Sequence, residues 1–229
     1  MEAHHLPESA QAALKRIRKQ YKVGFEPLRI RDIELHILQV TDLEHLLAGR
    51  DPFADVASFP FWVKLWEASL MLADIMATIP AEPGQRVLEL GAGLAAPGLV
   101  AAARGYQVTL SDYEPHILDF QRVSAAASGL AGVEFRIIDW KNPPQLEPFD
   151  IILGAEILFR AEFFQPLLTV FDRYLAPEGT IYIAHDVRRK SVPQFLELAQ
   201  KNYQIAVSAR KMTTGDGELT ILVNRLRKK

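Results

Sequence analysis

Residues 87–98 read VLELGAGLAAPG, and this stretch indicates the fold of the whole chain. An apolar strand runs into a turn at Gly91 and Gly93, and the residues that follow are typical of a helix. Glycine has no side chain, so a ligand can lie directly on the backbone at this point. In an open parallel sheet, ligands bind at this carboxyl end of the strands. The spacing up to Ala96 also matches the G-x-G-x-x-A dinucleotide fingerprint, which alone does not identify the ligand.

The pattern on either side of this loop predicts an α/β fold. Strand-like and helical runs alternate, an order that predicts a doubly wound, mostly parallel, seven-stranded Rossmann-like sheet. The last two strands are linked only by a turn-rich segment and are expected to form a C-terminal antiparallel hairpin. The strand-like runs lie at 86–90, 107–111, 133–138, 150–154, 180–185, 203–209 and 219–223. The helical runs between them lie at 96–103, 114–127, 161–175 and 191–202.

The residues before this alternation are predicted to form a separate N-terminal extension, 1–57, followed by the main domain, 58–229. The first part of the main domain, 62–79, has a helical pattern. The predicted elements of the extension are a helix over 8–21 capped by Ser9, hairpin strands at 28–30 and 34–40, and a short helical piece at 43–47.

The composition is that of an ordinary globular protein and excludes several kinds of chemistry. The 229 residues are 49% hydrophobic and 24% charged, with a net charge of −2, so we expect no nucleic-acid partner. The absence of cysteine excludes disulfides, thiolate zinc sites and a cysteine nucleophile. The chain has neither a signal-peptide pattern nor a long apolar run, so we expect a cytoplasmic protein without a membrane span. His4 and His5 are adjacent in the terminus and form no metal site, so no metal is expected.

Acidic residues stand at the ends of three successive predicted strands. Glu89, two residues before Gly91, suits the cationic amino group and sulfonium of S-adenosylmethionine better than a pyrophosphate. Asp112 is placed to accept both ribose hydroxyls. Asp139 can accept a hydrogen bond from an adenine amino group while Trp140 covers the ring. The alternatives are that Glu89 accepts nearby backbone amides and that Trp140 is a core residue. Taken together, the residues predict S-adenosylmethionine as the cofactor.

Over residues 58–229 the chain resembles the class I, or seven-β-strand, S-adenosylmethionine-dependent methyltransferases. Within that class it looks most like the small protein-lysine methyltransferases, whose members modify Hsp70 chaperones, valosin-containing protein and the β subunit of electron transfer flavoprotein. Residues 60–66, PFWVKLW, are most similar to the flavoprotein-modifying branch. The resemblance implies that Trp66 touches the cofactor, that Trp140 covers the adenine and that Ala155 contacts the cofactor.

The sequence departs from this family at one site motif. Residues 149–159, FDIILGAEILF, resemble the family's fourth-strand segment, which ends in an acid-x-x-aromatic motif facing the methyl acceptor. The family's usual residues there are aspartate and tyrosine, whereas this chain has Glu156 and Phe159. These two are the candidate catalytic residues. Glu156 is expected to orient an acceptor amine or receive its proton, and Phe159 with Trp62 is expected to wall the acceptor channel.

The sequence thus predicts an enzyme that transfers a methyl group from S-adenosylmethionine to an amine, most simply a lysine side chain of a protein substrate. Two alternatives stay open, a small-molecule N- or O-methyltransferase and a non-catalytic cofactor-binding protein. A small-molecule acceptor favours a closed pocket roofed by residues 1–57, whereas a protein acceptor needs an open channel. A dehydrogenase is compatible only if Glu89, Asp139 and Trp140 are all structural. The oligomeric state is not indicated.

Overall fold

The structure, a computed structural model, describes residues 6–42, 60–215 and 217–229. Its main sheet has seven strands: β3 (Arg86–Glu89), β4 (Gln107–Asp112), β5 (Glu134–Ile137), β6 (Phe149–Ala155), β7 (Leu175–Asp186), β8 (Tyr203–Thr214) and β9 (Gly217–Lys228). Their order is β5-β4-β3-β6-β7-β9-β8. Strands β3 to β7 pair in parallel, and β9 is antiparallel to both β7 and β8. The predicted fold class and C-terminal hairpin are confirmed.

Helices cover both faces of this sheet: α2 (Glu67–Thr78), α3 (Ala96–Ala103), α4 (Pro115–Ala127), α5 (Phe164–Tyr174) and α6 (Val192–Ala199). Successive residues of a strand point to opposite faces, and β3 shows the result. Val87 packs in one core cluster with Phe120 of α4, whereas Leu88 packs in a second cluster with Phe171 of α5. The two cores hold the sheet from both sides and fix the strand ends that surround the glycine loop.

The N-terminal extension packs on the face that carries α3 and α4. Its described part, residues 6–42, contains α1 (Glu8–Ile17) and an antiparallel hairpin of β1 (Val23–Ile30) and β2 (Ile33–Val40). Arg16 of α1 forms an ion pair of 2.7 Å with Asp119 of α4, which joins the extension to the main domain. The predicted boundary at residue 57 and the predicted helical piece at 43–47 lie outside the described residues.

Several predicted helix boundaries were wrong. The helix predicted over 8–21 ends at Ile17, the helix predicted over 161–175 begins at Phe164 after a 3-10 turn, and the helix predicted over 191–202 ends at Ala199. The first helix is preceded by Pro7, not Ser9, because Pro7 is extended at φ −55° and ψ 151° and its carbonyl accepts the amide of Gln11. The predicted helix over 62–79 begins only at Glu67, after a 3-10 turn at Phe61–Val63. Trp66 remains extended at the helix start because its indole N–H donates to the Phe61 carbonyl at 2.7 Å. None of the described helices is long and apolar enough to cross a membrane.

Candidate active site

A cleft of about 980 Å³ opens at the carboxyl ends of the parallel strands. Its volume lies at the upper end of the range for small-molecule sites, roughly 300–1,000 Å³. The structure brings nine of the ten predicted site residues to its lining: Trp66, Gly91, Gly93, Asp112, Asp139, Trp140, Ala155, Glu156 and Phe159. Glu89 is absent from the lining that the structure describes.

The glycine loop approaches the cleft with a backbone that only glycine adopts readily. Gly91 and Gly93 have φ values of 58° and 53°, in the left-handed region. A Cβ atom on Gly91 would lie 3.2 Å from Cγ2 of Ile157 and 3.4 Å from Cζ2 of Trp140. The loop therefore packs tightly against side chains that follow β5 and β6, and its backbone forms the floor of the cleft.

Asp112, at the end of β4, braces this loop and faces the cleft. One carboxylate oxygen accepts the amide N–H of Gly93 at 3.0 Å, and the other accepts that of Tyr113 at 2.7 Å. Burial raises the pKa of Asp112, and the hydrogen bonds from these backbone amides oppose that rise. The backbone amide of Glu114 also lowers the pKa of this carboxylate. A carboxylate has about four acceptor positions, so Asp112 keeps acceptor capacity on the side of the cleft. This arrangement fits a pair of ribose hydroxyls.

The prediction that Glu89 contacts the cofactor requires a correction. Its side chain is 1% exposed and lies beneath the loop, where its carboxylate accepts the amide N–H of Gly98 at 2.8 Å. Burial raises the pKa of Glu89 to about 8, which leaves the group largely uncharged at neutral pH. The structure therefore favours the alternative interpretation. Glu89 braces the start of α3 from below, because the strand end points it into the core rather than toward a cationic ligand.

Asp139 and Trp140 lie on the opposite wall of the cleft. Asp139 accepts the amide N–H of Lys141 at 2.9 Å, which orders the turn after β5. The Trp140 ring lies against Gly91 and meets Phe163 edge to face, with 5.7 Å between ring centroids. Trp140 is half-buried, so one part of the ring packs on the second core cluster while the residue still lines the cleft. Its predicted place over an adenine stays a prediction.

Aromatic side chains before α2 form the wall that faces the extension. Trp62 contacts Phe120 of α4 and also Tyr21, whose ring centroid lies 5.6 Å away. Trp66 packs on Phe61 at a centroid distance of 5.9 Å. Trp62 and Phe159 both line the cleft, but Trp62 packs on Tyr21, His116 and Phe120, so its expected role in walling an acceptor channel with Phe159 stays a prediction.

The acceptor end of the cleft is formed by the residues after β6. Glu156 has a φ of 55°, and its amide N–H donates to the Ala184 carbonyl at 2.9 Å. Its Oε1 accepts the amide N–H of Asp186 at 2.7 Å, and its Oε2 accepts Nε of Arg189 at 3.0 Å and also Nη2. Phe159 is exposed and lies 6.0 Å from Phe163 between ring centroids. Glu156 is therefore a carboxylate whose two oxygens already have partners.

Comparison with known proteins places this cleft in a family. Residues 61–202 match a protein-family model described as "Lysine methyltransferase". The chain belongs to this lysine methyltransferase family. It is 31% identical over 161 residues to mouse EEF1A lysine methyltransferase 3, a match that covers 63% of this chain and 69% of that protein. It is 42% identical over 92 residues to mouse histone-arginine methyltransferase METTL23, which covers 38% of this chain and 36% of that protein.

Solved structures support the fold. Precorrin-6y C5,15-methyltransferase from Geobacter metallireducens superposes with a TM-score of 0.59 over 72% of this chain and 91% of that chain. Its sequence identity is 16%, so the likeness concerns the fold alone.

The methyl donor of the lysine methyltransferase family is S-adenosylmethionine, and the cleft fits it. Asp112 has acceptor capacity left for the ribose, and the left-handed backbone at Gly91 and Gly93 brings the main chain directly to the cleft. Trp66, Asp139, Trp140 and Ala155 surround the same space, so their roles as cofactor contacts stay predictions with compatible positions. Among the described residues, no cluster of histidine and acidic side chains is able to hold a metal ion.

Several residues that line the cleft of this lysine methyltransferase were missed in the sequence. Tyr21 reaches the cleft from the extension, and Tyr113 and His116 border it next to Asp112. The position of Tyr113 directly after an acid at a strand end is a signal that could have identified it. Arg189 had no such signal, because nothing in a basic run after β7 indicates that one of its members turns toward Glu156.

Proposed function

We propose that this protein transfers a methyl group from S-adenosylmethionine to the side-chain amine of a lysine on a protein substrate. The observation that carries the proposal is that one continuous cleft contains both ends required for such a transfer. Asp112 and the glycine loop lie at its nucleoside end, and Glu156 with Phe159 lies at its other end. The family match supports the same reaction.

The residues of the acceptor end have to orient an amine and exclude water. When bound, S-adenosylmethionine supplies an activated methyl group to a nucleophile aligned with its sulfur. A lysine has an ordinary pKa of about 10.4 and must be neutral to attack. Phe159 and Phe163 line the cleft with 6.0 Å between their ring centroids, and in this proposal they desolvate the amine, which favours its neutral form. Aromatic faces also attract the ammonium form on entry. Glu156 orients the amine in this proposal.

The shape of the cleft favours a protein acceptor over a metabolite. Of the residues that the structure describes in the extension, 6–42, Tyr21 is the one that lines the cleft. The remainder of that described part packs on α2, α3 and α4. As far as the described residues go, the extension does not roof the cleft, and a flexible lysine chain on a folded protein is able to enter it.

An arginine acceptor is a second candidate. It is favoured by the 42% identity to histone-arginine methyltransferase METTL23, although that match covers a shorter stretch than the match to EEF1A lysine methyltransferase 3. Both candidates are protein side chains and use the same cofactor end. They differ in the acceptor group next to Glu156 and Phe159, which is an amine for lysine and a guanidinium for arginine.

The substrate, branch and location are finer points of the proposal. The relative EEF1A lysine methyltransferase 3 suggests EEF1A as one acceptor to test. The likeness of residues 60–66 to the flavoprotein-modifying branch suggests the β subunit of electron transfer flavoprotein as another. A cytoplasmic location stays a prediction.

The test is incubation of the purified protein with S-adenosylmethionine carrying a tritiated methyl group and a cell lysate. Labelled proteins are hydrolysed, and methyl-lysine is separated from methyl-arginine. Label in methyl-lysine supports the proposal, and label in methyl-arginine alone supports the second candidate. Label only in small molecules overturns both. Binding of S-adenosylhomocysteine without any transfer indicates a non-catalytic protein. The Asp112→Ala variant is the control for label that arises from contaminants.

A further inference from the structure

Two loops that are distant in sequence meet at the acceptor end of the cleft. Glu156 directly follows β6, and Arg189 lies in the loop that follows β7, 33 residues later. The guanidinium of Arg189 donates to Oε2 of Glu156 through Nε at 3.0 Å and through Nη2. A two-point contact of this kind fixes direction as well as distance, because the donors of arginine form a rigid fork. The contact therefore sets where the Glu156 carboxylate points.

A second contact ties the same two loops together. The hydroxyl of Ser191, just before α6, donates to the carbonyl of Leu158. Glu156 and Leu158 lie in the short segment that leads to Phe159, and both are held from the segment 189–191. Glu156 also has a left-handed backbone, a conformation that persists in residues other than glycine only when the surroundings hold it. The segment 156–159 thus depends on outside support.

The neighbouring Arg188 shows that this arrangement is specific to one position. Arg188 is 77% exposed, lies outside the described lining of the cleft and pairs with Asp186 of its own loop. Arg189 is 36% exposed, lines the cleft and pairs with Glu156, whose side chain is 14% exposed. A partly buried pair is screened less by solvent and salt than an exposed one. The two adjacent arginines therefore form a matched pair for experiments.

We propose that Arg189 is the positioning residue of the acceptor end, holding Glu156 and, through it, the segment that places Phe159. Arg189 acts on the acceptor through Glu156 and leaves the cofactor end unaffected. The inference rests on the proposed function, because it names the residue that prepares the same site for its acceptor.

The test compares Arg189→Met with Arg188→Met. Because a misplacement of about 1 Å can cost about 10²-fold in rate, we expect Arg189→Met to lower kcat/KM for the protein acceptor by about 10- to 100-fold. The Kd for S-adenosylhomocysteine should stay unchanged. Arg188→Met should keep wild-type kinetics, and Arg189→Lys should recover part of the loss. In a Glu156→Gln background, Arg189→Met should add little, because its effect passes through Glu156.

Hydrogen exchange provides a readout that needs no acceptor. Arg189→Met should speed amide exchange in peptides covering 156–160, whereas Arg188→Met should not. If the wild-type protein methylates nothing, the proposed function fails, while the exchange comparison still decides whether Arg189 holds the segment. Unchanged exchange, an equal effect of both arginine variants, or full additivity with Glu156→Gln overturns the inference.

Discussion

The two ends of the cleft are built in different ways. At the cofactor end, Asp112 accepts the amide of Gly93, a residue 19 positions earlier in the loop that follows the adjacent strand β3. At the acceptor end, Glu156 is held by Arg189, which comes from a different loop 33 residues later. The first end consists largely of backbone and one carboxylate, and the second consists of side chains that hold each other. The cofactor end is therefore prescribed by a local motif, whereas the acceptor end depends on contacts between loops that are distant in sequence.

The largest expected effect is at the cofactor end. Asp112→Ala should weaken S-adenosylhomocysteine binding by about 10³-fold, since each hydrogen bond to a charged group contributes about 1.5–3 kcal/mol and the ribose supplies two donors. Isothermal titration calorimetry measures the loss. Asp74→Asn, which alters an exposed carboxylate paired with Arg31, is the matched control and should bind normally. Wild-type affinity in Asp112→Ala means that the nucleoside lies elsewhere.

A smaller effect is expected when the acceptor end is changed. Glu156→Ala should lower kcat for the protein acceptor by about 10²-fold, because the amine loses the group that orients it. The affinity for S-adenosylhomocysteine should remain that of the wild type, which separates the two ends. Steady-state kinetics that follow the transfer of labelled methyl groups to the protein acceptor measure kcat. Full turnover with normal cofactor binding removes Glu156 from the proposed mechanism.

The pH dependence of stability shows whether Glu89 belongs to the cofactor-binding surface or to the core. Its pKa of about 8 in the folded protein is above the ordinary value of 4.5, so the folded state binds a proton more tightly than the unfolded chain. Stability should therefore fall as the pH rises from about 4.5 to about 8, by at most about 1.4 kcal/mol for each pH unit from this group. Glu89→Gln should flatten that decline.

Urea unfolding of the cofactor-free protein at a series of pH values measures the slope. Glu89→Gln should also keep its affinity for S-adenosylhomocysteine, in contrast to Asp112→Ala. An unchanged slope together with lost affinity contradicts the structural role and restores Glu89 to the cofactor site.

The smallest expected effect concerns Gly91, which lies against Trp140 and against Ile157. Gly91→Ala should destabilise the fold by about 1–2 kcal/mol, because its φ of 58° disfavours a side chain and its Cβ would lie 3.2 Å from Ile157. Gly84→Ala has a similar φ of 83° with open space around it and isolates the backbone contribution. Thermal unfolding compares the two. Equal losses mean that the contact with Ile157 costs nothing.

The sequence predicts the fold and the cofactor end well because their signals are local. Alternating strand-like and helical runs predict the strands of the sheet and the helices that cover it. The strand–glycine–helix pattern predicts that Gly91, Gly93 and Asp112 lie together, and the structure places them in one cleft. Local signals fail where a single side-chain hydrogen bond determines the backbone conformation. The helix predicted from residue 62 starts only at Glu67, because the indole of Trp66 bonds to Phe61 and stabilises an extended segment there.

At the acceptor end the sequence locates two residues but not the side chain that holds them. The resemblance to the family locates Glu156 and Phe159, but the partner of Glu156 is not encoded in any nearby pattern. Arg188 and Arg189 are chemically identical neighbours in the sequence, and only the turn after β7 directs one to the cleft and the other to solvent. Glu89 was misassigned because a sequence does not show that its side chain points beneath the loop, toward Gly98.

The most direct test that the cleft has a cofactor end at Asp112 and an acceptor end at Glu156 is a crystal structure of the complex with S-adenosylhomocysteine. The account predicts both ribose hydroxyls within hydrogen-bond distance of the Asp112 carboxylate, the adenine against Trp140, and the sulfur directed toward Glu156 and Phe159. Glu89 should remain bonded to the Gly98 amide. A sulfur that points away from segment 156–159, or ribose hydroxyls without contact to Asp112, contradicts it.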